Sequence, residues 1–521
     1  MNRRVRIALL TASMSLVVAA CGSRVVPLTA GQGVGPGGVV PTLSPGQSIN
    51  PTTGATIGPG GQPIGGGPTG GSGSGPLANC RAPAKSTDKG VTQTEIKVGL
   101  VAAINGSFRG QFDANWQAVD AYLKMINTEE GGVCGRKFKL YIRDDQGNAQ
   151  QDLTAARELA EDVGVFAFVG SISAPDSDGG VASVSRENKI PDIGFPLTYG
   201  RSESTYSYGV PGQLAKDSSG LGQSGTRYLN ELYNIKQVAV LWVGEALVSK
   251  ANAWVFEASS LKNSNNQIKI CYERETSVLD NNFDNYAIAM KSACPASGGN
   301  LGIYTTMENN SNIKLADAMK AQGVQYKYFS PTFTSYLPSF VRDDSGRARP
   351  GTEGAYIAIP QIPFERCGSD SRSRPIPPCS HPELNRYISA LKRYVPNYKA
   401  PGSWGGPGWG QAALFVESVK QCGAELTRAC VLQKIRGTNN FSANGFLSPA
   451  TPRERLIYTA DLILQVHNGR FVEIKPNDKS GPKEAPDFWD TSKIYNWWAY
   501  FCANKQYFPS RDEIGAYVTT C

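Results

Sequence analysis

Ile96-Lys97-Val98-Gly99-Leu100-Val101-Ala102-Ala103-Ile104 is apolar at almost every position. A strand with one wet face alternates apolar and polar residues. A nearly unbroken apolar run instead reads as a strand covered on both faces, as in a parallel sheet. The residues that follow agree. Asn105–Phe112 is a Gly-containing loop, and Trp116, Val119, Leu123 and Ile126 then recur at three- and four-residue steps, which predicts an amphipathic helix. Phe138–Asp145 is the next strand, Asp152–Val163 a helix, and Val165-Phe166-Ala167-Phe168-Val169-Gly170 a buried strand. A polar loop at Ser171–Asp178 leads to another helix and a strand that ends near Ile193. This β-α-β-α order predicts an α/β fold, a mostly parallel sheet flanked by helices.

The alternation repeats further on. Gln237–Val243 reads as a strand, Ala251–Lys262 as a helix and Gln267–Glu275 as a strand. Asp284–Ser292 is a helix, Leu301–Thr306 a strand, Ile313–Gln322 a helix and Tyr326–Ser330 a strand. After the strand Ala355–Ile359 come helices near Pro382–Tyr394 and Gly410–Gln421, then extended Tyr458–Val466 and a turn at His467-Asn468-Gly469. Trp404-Gly405-Gly406-Pro407-Gly408-Trp409-Gly410 reads as a loop before its helix. Its tryptophans either line a cleft or staple the loop down. Two α/β blocks in one chain predict two lobes with a cleft between them.

The N-terminal end places the chain outside the cytoplasm. Arg3, Arg4 and Arg6 precede an apolar run from Ile7 to Val18, and Val18-Ala19-Ala20-Cys21 supplies small residues before a cysteine. This has the parts of a secretory signal, residues 1–20. The run is about 12 residues, too short to span a bilayer of roughly 30 Å. The cysteine after the small pair resembles a bacterial lipobox, which implies cleavage before Cys21 and acylation of its sulfur and new N-terminus. The alternative is an ordinary signal with a chance cysteine. From Arg24 to Leu77 the chain is Gly, Pro, Ser and Thr with almost no charge. Such a stretch cannot bury enough apolar surface to offset its ordering entropy. Residues 21–78 are therefore expected to be a flexible tether. Gly33-Val34-Gly35-Pro36-Gly37-Gly38 lies inside it with no strand before it and no helix after it, so it reads as low complexity and not as a nucleotide loop.

Beyond the tether remain about 440 residues, enough for two or three domains. Net charge is +8, but the basic residues are scattered, so no nucleic-acid partner is expected. Of eleven cysteines, ten remain beside Cys21. An even number in an exported chain argues for disulfides. Spacing suggests local pairs: Cys80 with Cys134, Cys271 with Cys294, Cys367 with Cys379, Cys422 with Cys430, and Cys502 with Cys521. No C-x-x-C pair exists and His381 and His467 lack ligand-spaced partners, so neither a metal nor a cofactor is expected. Catalysis is not expected either. There is no G-x-S-x-G elbow or P-loop, and both histidines sit in turn-like segments. Asp144 and Asp145 are neighbours on a strand and point to opposite faces, so they do not form a simple acid–base pair.

A series of short segments carries a family resemblance. It runs from Ile96-Lys97-Val98-Gly99-Leu100 through Gly131-Gly132-Val133-Cys134-Gly135-Arg136, Asp144-Asp145 with Gln150, and Phe168-Val169-Gly170-Ser171. It continues through Ile190-Pro191, then Pro196-Leu197-Thr198, to the closing hairpin Gln465-Val466-His467-Asn468-Gly469-Arg470-Phe471-Val472. In this order they resemble the type I periplasmic-binding-protein superfamily, in particular the solute-binding lipoproteins of branched-chain amino acid ABC transporters. The resemblance covers about Val91 to Ile474. It implies a two-lobed Venus-flytrap with three strand crossings, near Gln213, Gln361 and Tyr458. Lobe one would be 91–213 with 362–457. Lobe two would be 214–361 with 458–521, including an aromatic tail from Pro486 that either packs on the lobe or docks a partner.

The resemblance also implies a lipid-anchored receptor that closes on a small solute (an amino acid, amide or related polar molecule) and delivers it to an ABC-type permease. A ligand-sensing or docking lipoprotein of the same fold is the alternative. By the same resemblance, the ligand's carboxylate would meet the loop Ser171, Ser173, Ala174 and the strand end Pro196, Thr198. Phe108, Gln111 and Phe112 would cover it, and Val248, Met307 and Thr332 would face it from lobe two. The plainer reading of the Ser and Thr residues is helix capping. Amino-acid-binding members place an acidic residue near the position of Thr332, against the ligand's ammonium. Thr332 carries no charge; Glu308 or Glu245 is a candidate substitute, though the plainer reading of each is a solvated surface charge.

Overall fold

The opening run is the strand β1, Glu95–Ala102, and its inner positions are buried almost without interruption. In the computed structural model the described residues are Cys80 and 85–474, apart from 174–178, 196–200, 202–203, 211–223, 247–248, 251, 254–255, 258–259, 262–263, 265–266, 370–373, 396, 399–400 and 453–459. The short strands Ser48–Ile49, Thr56–Ile57 and Trp489–Asp490 are also described. Two units are distinguished, Met1–Gly73 and Ser74–Cys521. In the first, Ser48–Ile49 pairs antiparallel with Thr56–Ile57. The signal, Cys21 and the rest of the tether lie outside the described residues.

In the second unit, β1 leads to α1 (Asp113–Glu129), β2 (Lys137–Asp144), α2 (Ala149–Glu158), β3 (Ala167–Val169), α3 (Gly179–Asn188), β4 (Asp192–Gly194) and β5 (Ser207–Gly209). These strands form one parallel sheet in the order β2-β1-β3-β4-β5. Asn148 starts α2 by accepting from the amides of Gln150 and Gln151, which satisfies two of its orphan donors. The helix expected at Asp152–Val163 begins earlier and closes in a π turn over Leu159–Val163. It ends at Gly164, where φ of 66° suits a residue without a side chain.

A second parallel sheet follows α4 (Ser224–Leu232). It contains β6 (Gln237–Val243), β7 (Lys269–Thr276), β8 (Leu301–Thr305) and β9 (Tyr328–Pro331), with α5 (Asp284–Ala293) and α6 (Asn309–Ala321) between. Its order is β9-β8-β6-β7. Both sheets therefore place the second strand, the first, the third and the fourth side by side in the same sequence. After the short helix α7 (Pro338–Val341) comes β10 (Tyr356–Ile359). Near Gln361, where a crossing was expected, the backbone bridges to Leu447.

The later chain first forms a small antiparallel hairpin, β11 (Cys367–Ser369) with β12 (Pro375–Cys379). The helices α8 (Pro382–Tyr394), α9 (Gly405–Cys422) and α10 (Arg428–Gly437) then return to the first sheet, where α8 and α9 pack on α1. Finally β13 (Ala460–His467) pairs antiparallel with β10 and with β14 (Arg470–Ile474). Trp489–Asp490 pairs with Ala460–Asp461, and the remainder of the aromatic tail lies outside the described residues.

The glycine-rich segment before α9 needs correction, because it is the first turns of the helix itself and not a loop. Pro407 falls in the opening turn, where an amide hydrogen has no intrahelical partner to lose. The glycines are there for contact. A Cβ on Gly408 would lie inside the Asn115 carbonyl of α1, and one on Gly406 would overlap the Gln361 side chain. Four cysteine pairs are bonded: Cys80–Cys134, Cys271–Cys294, Cys367–Cys379 and Cys422–Cys430. Cys502 and Cys521 lie outside the described residues. No described helix is long and apolar enough to cross a membrane.

Candidate ligand-binding cleft

In a parallel sheet, ligands sit beyond the carboxyl ends of the strands, at the point where strand order reverses. For the first sheet that point lies between β1 and β3, and its loops are pinned from below. Asp144, at the end of β2, accepts from the amides of Ile104 and Asn105 and from the Asn105 side chain. Burial alone would raise its pKa, but these bonds and the Gln146 amide together hold it below the ordinary carboxylate value. Asp145 faces the other way and is fully buried. Burial pushes its pKa up, against the lowering effect of the Ser173 hydroxyl and the Gly147 amide, and the charge of Asp144 adds to the rise.

The serines of the expected carboxylate loop are buried and engaged. Ser171 Oγ accepts from the Val101 amide at 3.2 Å, and Ser173 Oγ donates to Asp152 Oδ1 at 3.1 Å. Asp152 Oδ2 in turn accepts from the Val181 amide in the first turn of α3. A residue that sequence reasoning did not single out completes this support. Arg201 is 1% exposed, and its Nε donates to Asp192 Oδ2 at 2.7 Å. Its Nη1 donates to the carbonyls of Ser171 at 3.0 Å and Phe195 at 3.4 Å. One guanidinium thus fastens β4 to both loops at the sheet edge. Ala174, Pro196, Thr198 and Val248 lie outside the described residues.

Above this support the lining is aromatic. The Phe108 and Phe112 rings are 6.4 Å apart, and Phe112 meets Trp404 edge-on at 5.4 Å. Trp404 also touches Phe195 at 4.9 Å and Phe333 at 4.7 Å. Phe333 follows β9 of the second sheet, so this cluster joins the carboxyl edges of the two sheets. Gln111 Nε2 adds a polar link to the Thr334 carbonyl at 3.4 Å. The tryptophan that caps α9 and the one inside it have parted ways. Trp404 lines the junction, while Trp409 is fully buried and donates to Glu383 Oε1 at 2.7 Å, which staples α9 to α8.

From the second sheet, Met307 is fully buried with its sulfur 3.3 Å from Thr276 Oγ1. Thr332 is half-buried and shares a 2.9 Å hydroxyl contact with Thr334. Glu308 caps α6 through the Asn310 and Ser311 amides, and Glu245 accepts from Ser277 and Val278. Beside the aromatic cluster lies a cavity of about 340 Å³ lined by Phe108, Arg109, Gln111, Ile313, Lys314 and Arg349, with Val278, Glu308 and Asn310 completing the wall. The histidines have other partners. His381 Nδ1 accepts from the Leu384 amide as the cap of α8, and His467 Nδ1 lies 3.1 Å from Glu353.

A family model described as periplasmic binding protein matches residues 95–479. No curated protein matches the chain at a significant level. Among solved structures, the leucine-binding protein LivK of Thermotoga maritima is 15% identical with a TM-score of 0.57, covering 74% of this chain and 99% of its own. A fatty acid ABC transporter substrate-binding protein from Thermomonospora curvata is 17% identical at 0.58, covering 75% and 94%. The branched-chain amino acid transporter substrate-binding protein LivJ of Streptococcus pneumoniae, in complex with isoleucine, is 14% identical at 0.54, covering 73% and 100%. At these identities the likeness is one of fold.

Proposed function

This chain belongs to the periplasmic binding protein family, and from that premise we propose that it is a lipid-anchored receptor outside the cytoplasm, which closes on a small solute and hands it to an ABC-type permease. The observation that carries this reading is the meeting of two carboxyl edges, one from each parallel sheet, across Phe195, Phe333 and Trp404. Binding favours a closed state only through contacts made to both lobes at once, and this junction offers them. Lobe one is taken as 91–213 with 362–457 and lobe two as 214–361 with 458–521, hinged near Gln213, Gln361 and Tyr458. Cys21 is the anchor, and residues 21–78 are the tether. Ligand contact falls to Phe108, Gln111 and Phe112, with Ser171 and Ser173 holding the loop beneath.

A thermal-shift screen of the chain from Gly22 onward, against amino acids, amides, short peptides, aromatic and aliphatic acids and sugars, tests the reading. A ligand at 100 times its dissociation constant adds about 2.7 kcal/mol of stability. A strong hit is the expected result. Silence across the panel would move the assignment to a sensing or docking lipoprotein that does not use its cleft for a solute.

A further inference from the structure

Charges around the cavity do not balance, and we propose that the solute is an amphiphilic anion. Its acidic head would lie among Arg109, Lys314 and Arg349, and its apolar body against Phe108, Ile313 and the neighbouring rings. This narrows the receptor reading above and rests on it.

The acidic side chains at hand are few, and each already accepts hydrogen bonds from neutral donors. Glu308 is the one carboxylate among the lining residues. Its oxygens take the amides of Asn310 and Ser311 and the Ser311 hydroxyl. Glu245 is held by Ser277 and Val278, and Thr332 is neutral. An ammonium here would meet three cations and one carboxylate that is already engaged in capping, so a zwitterionic amino acid is less well matched than an acid without an ammonium.

The cations, by contrast, are held by neutral groups. Lys314 Nζ donates to the Asp280 carbonyl at 2.7 Å and sits 5.9 Å from the Phe283 ring centroid. Arg349 Nε donates to the carbonyls of Ser339 at 2.8 Å and Arg342 at 3.2 Å. Its charge reaches the exposed Asp317 without an ion pair. Arg109 is exposed, and its guanidinium has no hydrogen-bond or ion-pair partner among the described residues. Three cations against one carboxylate leave the wall net positive, and a concave site dominated by one sign of charge focuses potential and gathers the opposite ion.

The same wall offers apolar surface at Phe108, Val278 and Ile313, continuous through Phe112 with Trp404. Its volume lies at the lower end of the roughly 300–1,000 Å³ typical of ligand pockets, which suits a short chain.

The test is calorimetric titration of the chain from Gly22 onward with octanoate, octanol, octylamine and leucine, at low and raised salt. Octanoate should bind, octanol and octylamine at least tenfold more weakly, and salt should loosen octanoate alone. Arg109→Gln combined with Lys314→Gln should cost octanoate tenfold or more and leave octanol unchanged. Leucine or octylamine binding as tightly as octanoate would overturn the proposal, as would a double variant that keeps wild-type affinity for octanoate. Should leucine bind and octanoate not, the receptor reading stands and this one falls. Should nothing in these or the wider panel bind, the receptor reading itself falls.

Discussion

Arg201 illustrates how much a single side chain holds at the sheet edge. Both it and Asp192 are buried, and removing one partner of a buried pair leaves a charge uncompensated, at a cost of about 3–5 kcal/mol. Arg201→Met should lose that much by urea denaturation. Adding Asp192→Leu should recover most of it, because an apolar pair of similar size is tolerated. Asp145 makes a pH-dependent prediction. Its folded pKa is raised, so the folded chain binds its proton more tightly than the unfolded chain. Unfolding free energy therefore falls as pH rises from about 3.9 through the raised value. Asp145→Asn keeps an acceptor for the Gly147 amide and removes that slope. Its advantage over wild type in urea midpoint should be near zero at pH 3 and grow toward pH 7, and a flat difference would show that Asp145 ionises freely in the fold. Neither role was legible in the sequence. Asp145 was read only as pointing away from Asp144, and Arg201 lay in an unremarked segment, because Ser173 and Ser171, which help to define them, come from a loop elsewhere in the chain.

The elements themselves were largely legible where apolar periodicity was strong. β1, α1, β6 and α8 fall within a residue or a few of their expected limits. The misses share a cause. β5 is three residues of Ser-Tyr-Gly, β11 is Cys-Gly-Ser and β12 is Pro-Ile-Pro-Pro-Cys. Pairing with a neighbour makes these into strands, and no local preference announces it. The opening of α9 was hidden because glycine is a poor helix former, yet the close approach to α1 demands it. In an exposed helix, Gly→Ala is worth up to about 1 kcal/mol of stabilisation. Gly408→Ala should instead destabilise by about 1–3 kcal/mol through overpacking on Asn115, as measured by thermal unfolding. The Cys271–Cys294 bond closes 23 residues between β7 and the end of α5. Its loss in a Cys271→Ser, Cys294→Ser variant should cost about 3 kcal/mol relative to the oxidised wild type, read by urea denaturation without reductant.

At the scale of the molecule, the order of segments was informative where single motifs were not, and the family match spans the region that the resemblance marked. The aromatic junction was not legible as a unit. Phe112, Phe195, Phe333 and Trp404 come from four distant segments; Phe112 was singled out for the cleft, Trp404 was left between lining it and stapling its own segment, and Phe333 was not marked. Phe333 is half-buried on a surface turn, so Phe333→Ala should leave the chain folded. It should weaken the contact between the two sheets' loops and raise the radius of gyration of the ligand-free chain in small-angle scattering. An unchanged radius would mean that these rings do not hold the two halves together.

The disulfides carry a consequence for how the chain is made. Eight cysteines admit 105 pairings, yet each bonded pair joins a cysteine to the next one along: Cys80 to Cys134, Cys271 to Cys294, Cys367 to Cys379, Cys422 to Cys430. A polypeptide threaded through an export channel from its N-terminus presents its thiols in that same order. An oxidant that couples each newly arrived thiol to the one waiting before it would write the native set directly. Secretion of this receptor should thus depend on the oxidising catalyst of the host envelope and be indifferent to its disulfide-shuffling one.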